Sequence, residues 1–182
     1  VIELARSGAD KVTYGSAGTG SAPHIAAAML FLQSGADALH VPFKGNAPVL
    51  SELMAGRLTI SVNTITEALP HLRSGRLRAL AVTGERRSAV LPDVPTVAES
   101  GVPGYAITAF NGIAVPAGSP PAVVERLHAA VAEAITPELR DKLLEGGAEL
   151  QASASPQAFT DFIRDQVANY AQVIRKVNIR AE

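Results

Sequence analysis

The chain has 182 residues, of which 47% are hydrophobic, and its formal net charge is −1. This length and apolar content suit one large packed domain or two small ones, whereas a near-neutral charge with scattered basic residues argues against nucleic acid as a partner. There is no cysteine, which excludes disulfides, thiolate nucleophiles and cysteine-bound metals. Neither a membrane-spanning apolar run nor a signal-like opening is present, so we expect a soluble chain without direct membrane insertion.

The first half of the chain predicts strands that alternate with helices, after a short opening helix that ends near Gly8. Short apolar or alternating runs predict four strands: KVTYGS, ALHVPF, LTISVN and the almost wholly apolar RLRALAVTG. Longer runs with helical spacing predict three helices: APHIAAAMLFLQSG with Gly35 as a stop signal, NAPVLSELMAGR closed by Gly56, and a short helix around EALPHLRSG. Alternation of this kind is typical of a parallel α/β sheet.

The second half predicts mostly helices. Residues 85–107 are rich in proline and turn residues and predict a crossover with one short helical segment at 97–100. Three helices follow, with Ser119 and Ser155 as expected N-caps of the first and last. Short strands are predicted only at 113–115 and 149–151, which are too few to cover the apolar helix faces. We therefore expect this part to pair with something outside the chain.

The glycine-rich turn between the first strand and the next helix suggests a binding loop, and its spacing excludes several kinds. Ser21 and Ala22 stand where a phosphate loop needs lysine and a magnesium-binding hydroxyl. The glycine order does not fit a dinucleotide loop, and the serines lack the flanking glycines of a hydrolase elbow. The remaining possibilities are an anion site, made by free N–H groups at a helix N-terminus, and a simple capped turn.

The histidines and lysines give little support for catalysis or metal binding. His24, in the first turn of its helix, is expected to cap or pack there. His40, His71 and His128 lie in separate elements without an i, i+4 partner, so we expect neither zinc nor a cofactor. Lys44 follows a predicted strand, where it either supplies positive charge to a cleft or lies in solvent.

Four long runs carry a family resemblance: VTYGSAGTGSAPHIAAAMLF, HVPFKGNAPVLSELMAGRL, LRALAVTGERRSAVLPDVPTVAESGVPGY and GIAVPAGSPPAVVERLHAAVAEAI. They resemble, in order and spacing, the Bug-type (TctC-like) solute-binding receptors of tripartite tricarboxylate transporters. The resemblance implies a type II periplasmic-binding-protein-like fold, in which two α/β domains close over a small organic carboxylate. It also implies a periplasmic location, delivery of the ligand to transporter membrane subunits, and no catalytic activity. Such proteins begin with a signal peptide and a half-domain that the present sequence lacks.

The same resemblance implies a domain organisation. Residues 1–11 would be a residual helix or linker, 12–106 the complete α/β ligand-binding domain, and 107–182 the C-terminal half of the other domain. An incomplete domain of this kind is expected to associate with itself or with a partner.

The family's ligand carboxylate lies between the domains, at loops that follow the strands. Carried onto this sequence, the ligand-binding positions are Gly15, Ser16, Gly18, Thr19 and Ser21 in the first loop, Phe43, Lys44 and Gly45 in the second, Asn63 and Thr64 in the third, and Phe110, Asn111 and Gly112 at the return into the other domain. Many relatives carry aspartate at the position of Asn63. A neutral amide there favours a plain carboxylic acid over an amino acid.

Two other readings stay open. One is an enzyme that acts on a small acid with His24 or Lys44 as general base. The other is a structural module, or a truncated remnant, that binds nothing tightly. The sequence does not identify the acid or the oligomeric state.

Overall fold

The computed structural model describes residues 1–177 and residue 179. The chain divides into two compact units, of which the first comprises residues 1–109 together with 170–177 and 179, and the second comprises 110–169. The domain boundaries implied by the resemblance stay a prediction. None of the helices in the described part is both long enough and apolar enough to span a bilayer.

The first unit is built on a parallel three-stranded sheet, as the alternation of strands and helices predicts. Its strands are β1 (Thr13–Ser16), β2 (Leu39–Pro42) and β3 (Ile60–Ser61), in the spatial order β2-β1-β3. The helices of this unit are α1 (Ile2–Arg6), α2 (Ala22–Ser34), α3 (Asn46–Met54) and α4 (Ile65–Arg73). Because the strands are parallel, their carboxyl ends, and the loops that follow, lie at one edge of the sheet.

Helix α2 follows the sequence signals closely. Ser21 is its N-cap and Pro23 lies in its first turn, where the missing N–H is not needed. Gly35, with φ 61°, adopts the left-handed conformation that ends the helix. The face of α2 that meets β1 is fully buried at Ala27 and almost so at Phe31, which packs against Tyr14.

A second apolar cluster surrounds Tyr105, which is 1% exposed. Its members include Ile25 and Ala26 of α2 and Val173, and the Tyr105 hydroxyl donates a hydrogen bond of 2.9 Å to the Ala26 carbonyl. A buried phenol needs such a partner. This cluster fixes the end of the crossover against α2.

Several predicted elements of the first unit are wrong or shorter than expected. The run RLRALAVTG forms no strand: among the described residues its backbone makes an isolated bridge between Val82 and Thr96 and accepts a bond from the Ile107 amide at the Thr83 carbonyl, which is not a ladder. Leu80 is 49% exposed instead of buried. The strand predicted in LTISVN shortens to β3. The helix predicted at 97–100 is a single turn, stabilised by reciprocal bonds between Thr96 and Glu99.

The second unit contains α5 (Pro121–Ala134), α6 (Pro137–Glu145) and most of α7 (Pro156–Lys176), whose last residues from Tyr170 belong to the first unit. The strands predicted at 113–115 and 149–151 are wrong, because the described part of the chain gives them no pairing strand; Ile113 is 72% exposed. The expectation of poorly covered helix faces is confirmed. Exposed apolar side chains on α5 are Val123, Leu127 and Val131.

Helix caps in the second unit agree with the sequence only in part. Ser119 is not the N-cap of α5; that position is Pro120, and the Ser119 hydroxyl instead donates to the Pro116 carbonyl. Ser155 caps α7 as predicted, since its hydroxyl accepts from the Ala158 amide at 3.0 Å. Ser119 is followed by Pro120 and Pro121, and the N-cap lies at Pro120, one residue later than predicted.

Candidate functional site

Three loops meet at the carboxyl edge of the sheet: 17–21 after β1, 43–45 after β2 and 62–64 after β3. Two backbone hydrogen bonds join the first two loops. The Phe43 amide donates to the Ser16 carbonyl at 2.9 Å, and the Gly45 amide donates to the Ala17 carbonyl at 3.3 Å. The structure thus brings together the ten predicted ligand-binding residues of the first unit, which lie on these loops or at the end of β1.

The loop 17–21 turns sharply through Gly18 and Gly20, whose φ angles are 131° and 78°. Only glycine adopts such angles readily. The Ser21 hydroxyl donates to the Gly18 carbonyl at 2.6 Å and gives no side-chain cap to α2. Backbone N–H groups in the first turn of α2 therefore stay open toward this loop, at the positive end of the helix dipole.

Gly15 serves packing. A Cβ at this position would lie 2.6 Å from Leu58 Cδ1 and 2.8 Å from Val49 Cγ1. Since real Cβ atoms do not approach so closely, glycine allows α3 to lie directly against β1. This position shapes the site by holding α3 close to the first loop.

Beneath the first loop lies a cluster of stacked rings that sequence reasoning missed. The His24 and His40 rings stack with their centres 3.8 Å apart, and the His40 ring stacks on Tyr14 at 4.9 Å. His40 Nε2 lies 2.6 Å from the hydroxyl of Ser16, which is fully buried. The available signal was the strand register, because Tyr14 pairs directly with His40.

The Ser16 hydroxyl is occupied by its surroundings. It donates to the Gly18 carbonyl at 3.1 Å and accepts from the Gly18 amide at 3.3 Å. With Nε2 of a neutral His40 as a further donor, the Ser16 hydroxyl uses its one donor and both its acceptor positions within the protein. Ser16 therefore holds the shape of the loop, and its hydroxyl points to neighbouring protein atoms.

Burial sets the protonation of these rings. It lowers the pKa of His24, and, together with the charge of His24, it lowers the pKa of His40 to about 4. Burial also raises the pKa of Tyr14 to about 12. Near pH 7 the cluster is therefore neutral, as expected for stacked imidazoles that are buried or half-buried.

The expectation that His24 caps or packs is confirmed. Its Nδ1 accepts a hydrogen bond of 3.0 Å from the Gly20 amide, and the side chain is buried. The lone pair that a general base needs is therefore already engaged. Lys44, the other base considered, is exposed on its loop.

Gly45, with φ 99°, is the N-cap residue of α3 and provides no side chain to cap it. Phe43 beside it is half-buried. The first turn of α3 thus adds a second uncapped helix N-terminus at this edge. Both α2 and α3 begin where a negatively charged group is stabilised.

The third loop is shaped by side-chain bonds. Thr64 caps α4 by accepting from the Glu67 amide at 3.4 Å. The Asn63 amide nitrogen donates to the Ser61 hydroxyl, while Asn63 Oδ1 and Asn46 Oδ1 are buried without a partner among the described residues. Two buried acceptors that lack donors are unusual, and each needs a water or a ligand group.

Phe110, Asn111 and Gly112 lie in the second unit. The Phe110 ring meets Phe162 edge-on at 4.9 Å, and a Cβ on Gly112 would overlap the ring of Phe159. All three positions are exposed. Their predicted contact with a ligand stays a prediction. Across residues 1–177 and 179, no three His, Asp or Glu side chains gather where they could hold a metal ion.

Comparison with known proteins covers nearly the whole chain. Residues 1–179 match the family described as tripartite tricarboxylate transporter family receptor (TctC). A Pseudomonas sp. protein named UPF0065 protein in the tcbD-tcbE intergenic region is 33% identical over 100% of the chain and 54% of its own length. A Pseudomonas knackmussii protein named for the clcB-clcD intergenic region is 38% identical over 87% of the chain and 94% of its own length.

Solved structures also match the chain over nearly its whole length. An R. palustris protein solved with adipate matches with a TM-score of 0.86 and 32% identity, over 98% of the chain and 60% of that protein. MatC from Rhodopseudomonas palustris, solved with bound malate, matches with a TM-score of 0.80 and 29% identity, over 95% of the chain and 60% of that protein. The chain thus spans little more than half the length of most of these relatives.

Proposed function

We propose that this chain, which belongs to the tripartite tricarboxylate transporter receptor family, binds a small organic carboxylate for transport. The proposed binding residues in the first unit are those of the three loops at the carboxyl edge of the sheet. Phe110, Asn111 and Gly112 are proposed to contribute from the second unit. The single observation that carries the proposal is the uncapped N-terminus of α2 at the loop 17–21.

Physical reasoning about charge supports a carboxylate. Two helices begin at this edge without side-chain caps, and their free N–H groups and dipoles favour an anion. Thr19 lies in the loop, half-buried, and its hydroxyl has no hydrogen-bond partner within the described chain. It is therefore available to a ligand. Lys44, exposed on the second loop, adds positive charge.

Dicarboxylates are the proposed ligand class, because two structural neighbours were solved with adipate and with malate. Asn63 in place of a carboxylate leaves no negative side chain in the third loop to pair with an ammonium group. Plain or hydroxylated acids are therefore proposed to bind more tightly than aspartate or glutamate.

A non-catalytic receptor fits the described chemistry better than an enzyme does. His24 is buried and its Nδ1 accepts from the Gly20 amide, while the Ser16 hydroxyl is enclosed by His40 and Gly18. Neither group is placed to attack or deprotonate a bound acid. The proposal extends to a periplasmic location and delivery to transporter membrane subunits, both supported by family membership.

The exposed apolar face of α5 supports a further part of the proposal, which is association of the second unit with another copy or a partner. Val123, Leu127 and Val131 recur along one side of this helix and are 46%, 46% and 36% exposed. Burying such a stripe is favourable at about 25 cal/mol per Å². The apparent mass of the chain in solution, measured across a concentration series, tests this part.

Calorimetric titration of the protein with malate, adipate and aspartate tests the binding proposal. The variants Thr19→Asp and Thr19→Asn form an isosteric pair at the mouth of the first loop. The charged variant should weaken dicarboxylate binding at least tenfold more than the neutral variant does, through like-charge repulsion, roughly 1.4 kcal/mol, since the asparagine keeps a hydrogen-bond donor at this position. Absence of heat with both acids at millimolar concentration, or equal weakening by both variants, would contradict the proposal.

A further inference from the structure

Glu67, in the first turn of α4, joins two of the loops described above. Its carboxylate accepts two hydrogen bonds from Nδ2 of Asn46, at 3.0 Å and 2.8 Å. It also accepts one from the Thr64 hydroxyl at 2.8 Å. Asn46 is the first residue of α3 and Thr64 is the N-cap of α4. A single side chain thus connects Asn46 and Thr64, at the starts of two helices.

The bonding pattern of Glu67 departs from that of an ordinary capping box. Thr64 and Glu67 have the spacing of that motif, and the Glu67 amide donates to the Thr64 hydroxyl. In a capping box the glutamate would normally return to the backbone N–H of the cap residue. Here its oxygens instead face the amide of Asn46 and the Thr64 hydroxyl, so the carboxylate bridges two elements.

Glu67 lies in the first turn of α4, where its charge favours that helix, but this does not explain its bonds to Asn46. Its partners are neutral, and the described chain contains no ion pair that involves Glu67. A negative charge beside the uncapped N-terminus of α3 weakens the attraction of that edge for an anion. The bonds to Asn46 therefore serve geometry rather than charge. Charge-assisted bonds to Asn46 hold the start of α3 in place, and the preceding Gly45 is otherwise held by one long hydrogen bond of 3.3 Å.

We infer that Glu67 is a positioning residue, which sets the spacing between the loops 43–45 and 62–64 through its bonds to Asn46 and Thr64. The effect of this spacing on ligand affinity rests on the proposed function. The effect of Glu67 on the spacing of the loops does not depend on that function. Glu67 is not expected to touch the ligand.

The test uses two readouts on the same set of proteins: wild type, Glu67→Gln, Glu67→Ala and Asn46→Ala. Glu52→Ala is the matched control. Glu52 lies near the C-terminal end of α3, whereas Asn46 lies at its start, and the Glu52 carboxylate is bonded to Arg57. The first readout is amide hydrogen exchange at residues 44–47 without ligand. Glu67→Ala should speed this exchange several-fold although the substitution lies twenty residues away. Glu67→Gln, which keeps an acceptor for Asn46, and Glu52→Ala should not.

The second readout is malate affinity. Glu67→Ala and Asn46→Ala should each weaken binding roughly fivefold, and the double variant should be no weaker than either alone, because both remove the same bond. Glu67→Gln should bind at least as tightly as the wild type, since it keeps the tie and removes the repulsive charge. A purely electrostatic role would make Glu67→Ala bind more tightly as well.

The outcomes separate the two proposals. If the wild type binds no dicarboxylate, the proposed function fails and the exchange data alone decide on Glu67. If the wild type binds but Glu67→Ala changes neither exchange nor affinity, the positioning role is refuted. Should Glu67→Ala unfold, Asn46→Ala removes the same tie from its other end.

Discussion

The stacked pair of His24 and His40 makes a quantitative prediction about acid stability. His40 has its pKa lowered from 6.5 to about 4 by burial and by the charge of His24. Between these two values the folded state binds fewer protons than the unfolded chain, so the stability rises with pH. Above pH 6.5 the His40 ring is neutral in both states and costs no stability. As the pH falls toward 4, the unfolded chain gains a proton that the folded state does not, so the free energy of unfolding falls.

The magnitude follows from this difference. Near pH 5.5 the unfolded chain carries about 0.9 more protons at this position, and integration from pH 7 to 5 gives about 1.8 kcal/mol. His40 is only half-buried, so water screens the charged form and we take about 1 kcal/mol as the expected loss. Burial also lowers the pKa of His24, which makes the free energy of unfolding fall with falling pH in the same way.

Urea denaturation at pH 7, 6 and 5 measures this loss for the wild type and for His40→Gln. The glutamine variant keeps an amide near the Ser16 hydroxyl but has no titrating ring, so its free energy of unfolding should fall less between pH 7 and 5. His71→Gln, which alters a surface histidine beside Arg76, controls for histidine replacement as such. Identical pH slopes for the wild type and His40→Gln would refute the reasoning.

Two further substitutions test a close packing contact and a buried hydrogen bond. Gly15→Ala should destabilise the protein by about 1–3 kcal/mol, because the added methyl overlaps the buried side chains of Leu58 and Val49. The loss, measured by urea denaturation, should be smaller in a Val49→Ala background. An equal loss in both backgrounds would count against this close contact. Tyr105→Phe should cost about 1 kcal/mol by removing the 2.9 Å bond to the Ala26 carbonyl. An unchanged thermal midpoint would argue against that bond.

The sequence predicts the first unit well where local signals and burial agree. Helix α2 has proline in its first turn, an alanine-rich buried face and glycine at its end, so each level of the pattern favours the same helix. The three parallel strands follow from alternation with helices, and from that topology the meeting of their loops could be deduced. The anion-favouring start of α2 was likewise accessible from the glycines and from the proline.

Sequence reasoning fails where structure depends on distant partners. RLRALAVTG has the apolar composition of a buried strand, but a ladder needs a neighbouring strand, and the described residues give this run an isolated bridge at Val82 and Thr96 instead. The run at 113–115 fails for the same reason. Local composition cannot reveal whether a pairing strand exists.

The candidate site shows a similar limit. Ser16 and His40 are 24 residues apart, and Asn46 and Glu67 are 21 apart. Neither pair has a spacing that signals contact along one element. Only the arrangement of β2 beside β1, and of α4 near α3, brings these polar groups together.

The buried rings have an optical consequence. The chain has three tyrosines and no tryptophan, so phenol groups dominate its near-ultraviolet spectrum. The phenol pKa is raised by burial at Tyr14, Tyr105 and Tyr170 alike. Phenolate absorbance that grows in mild alkali therefore reports opening of the native fold around these three rings, and ultraviolet difference spectroscopy monitors that opening without a label.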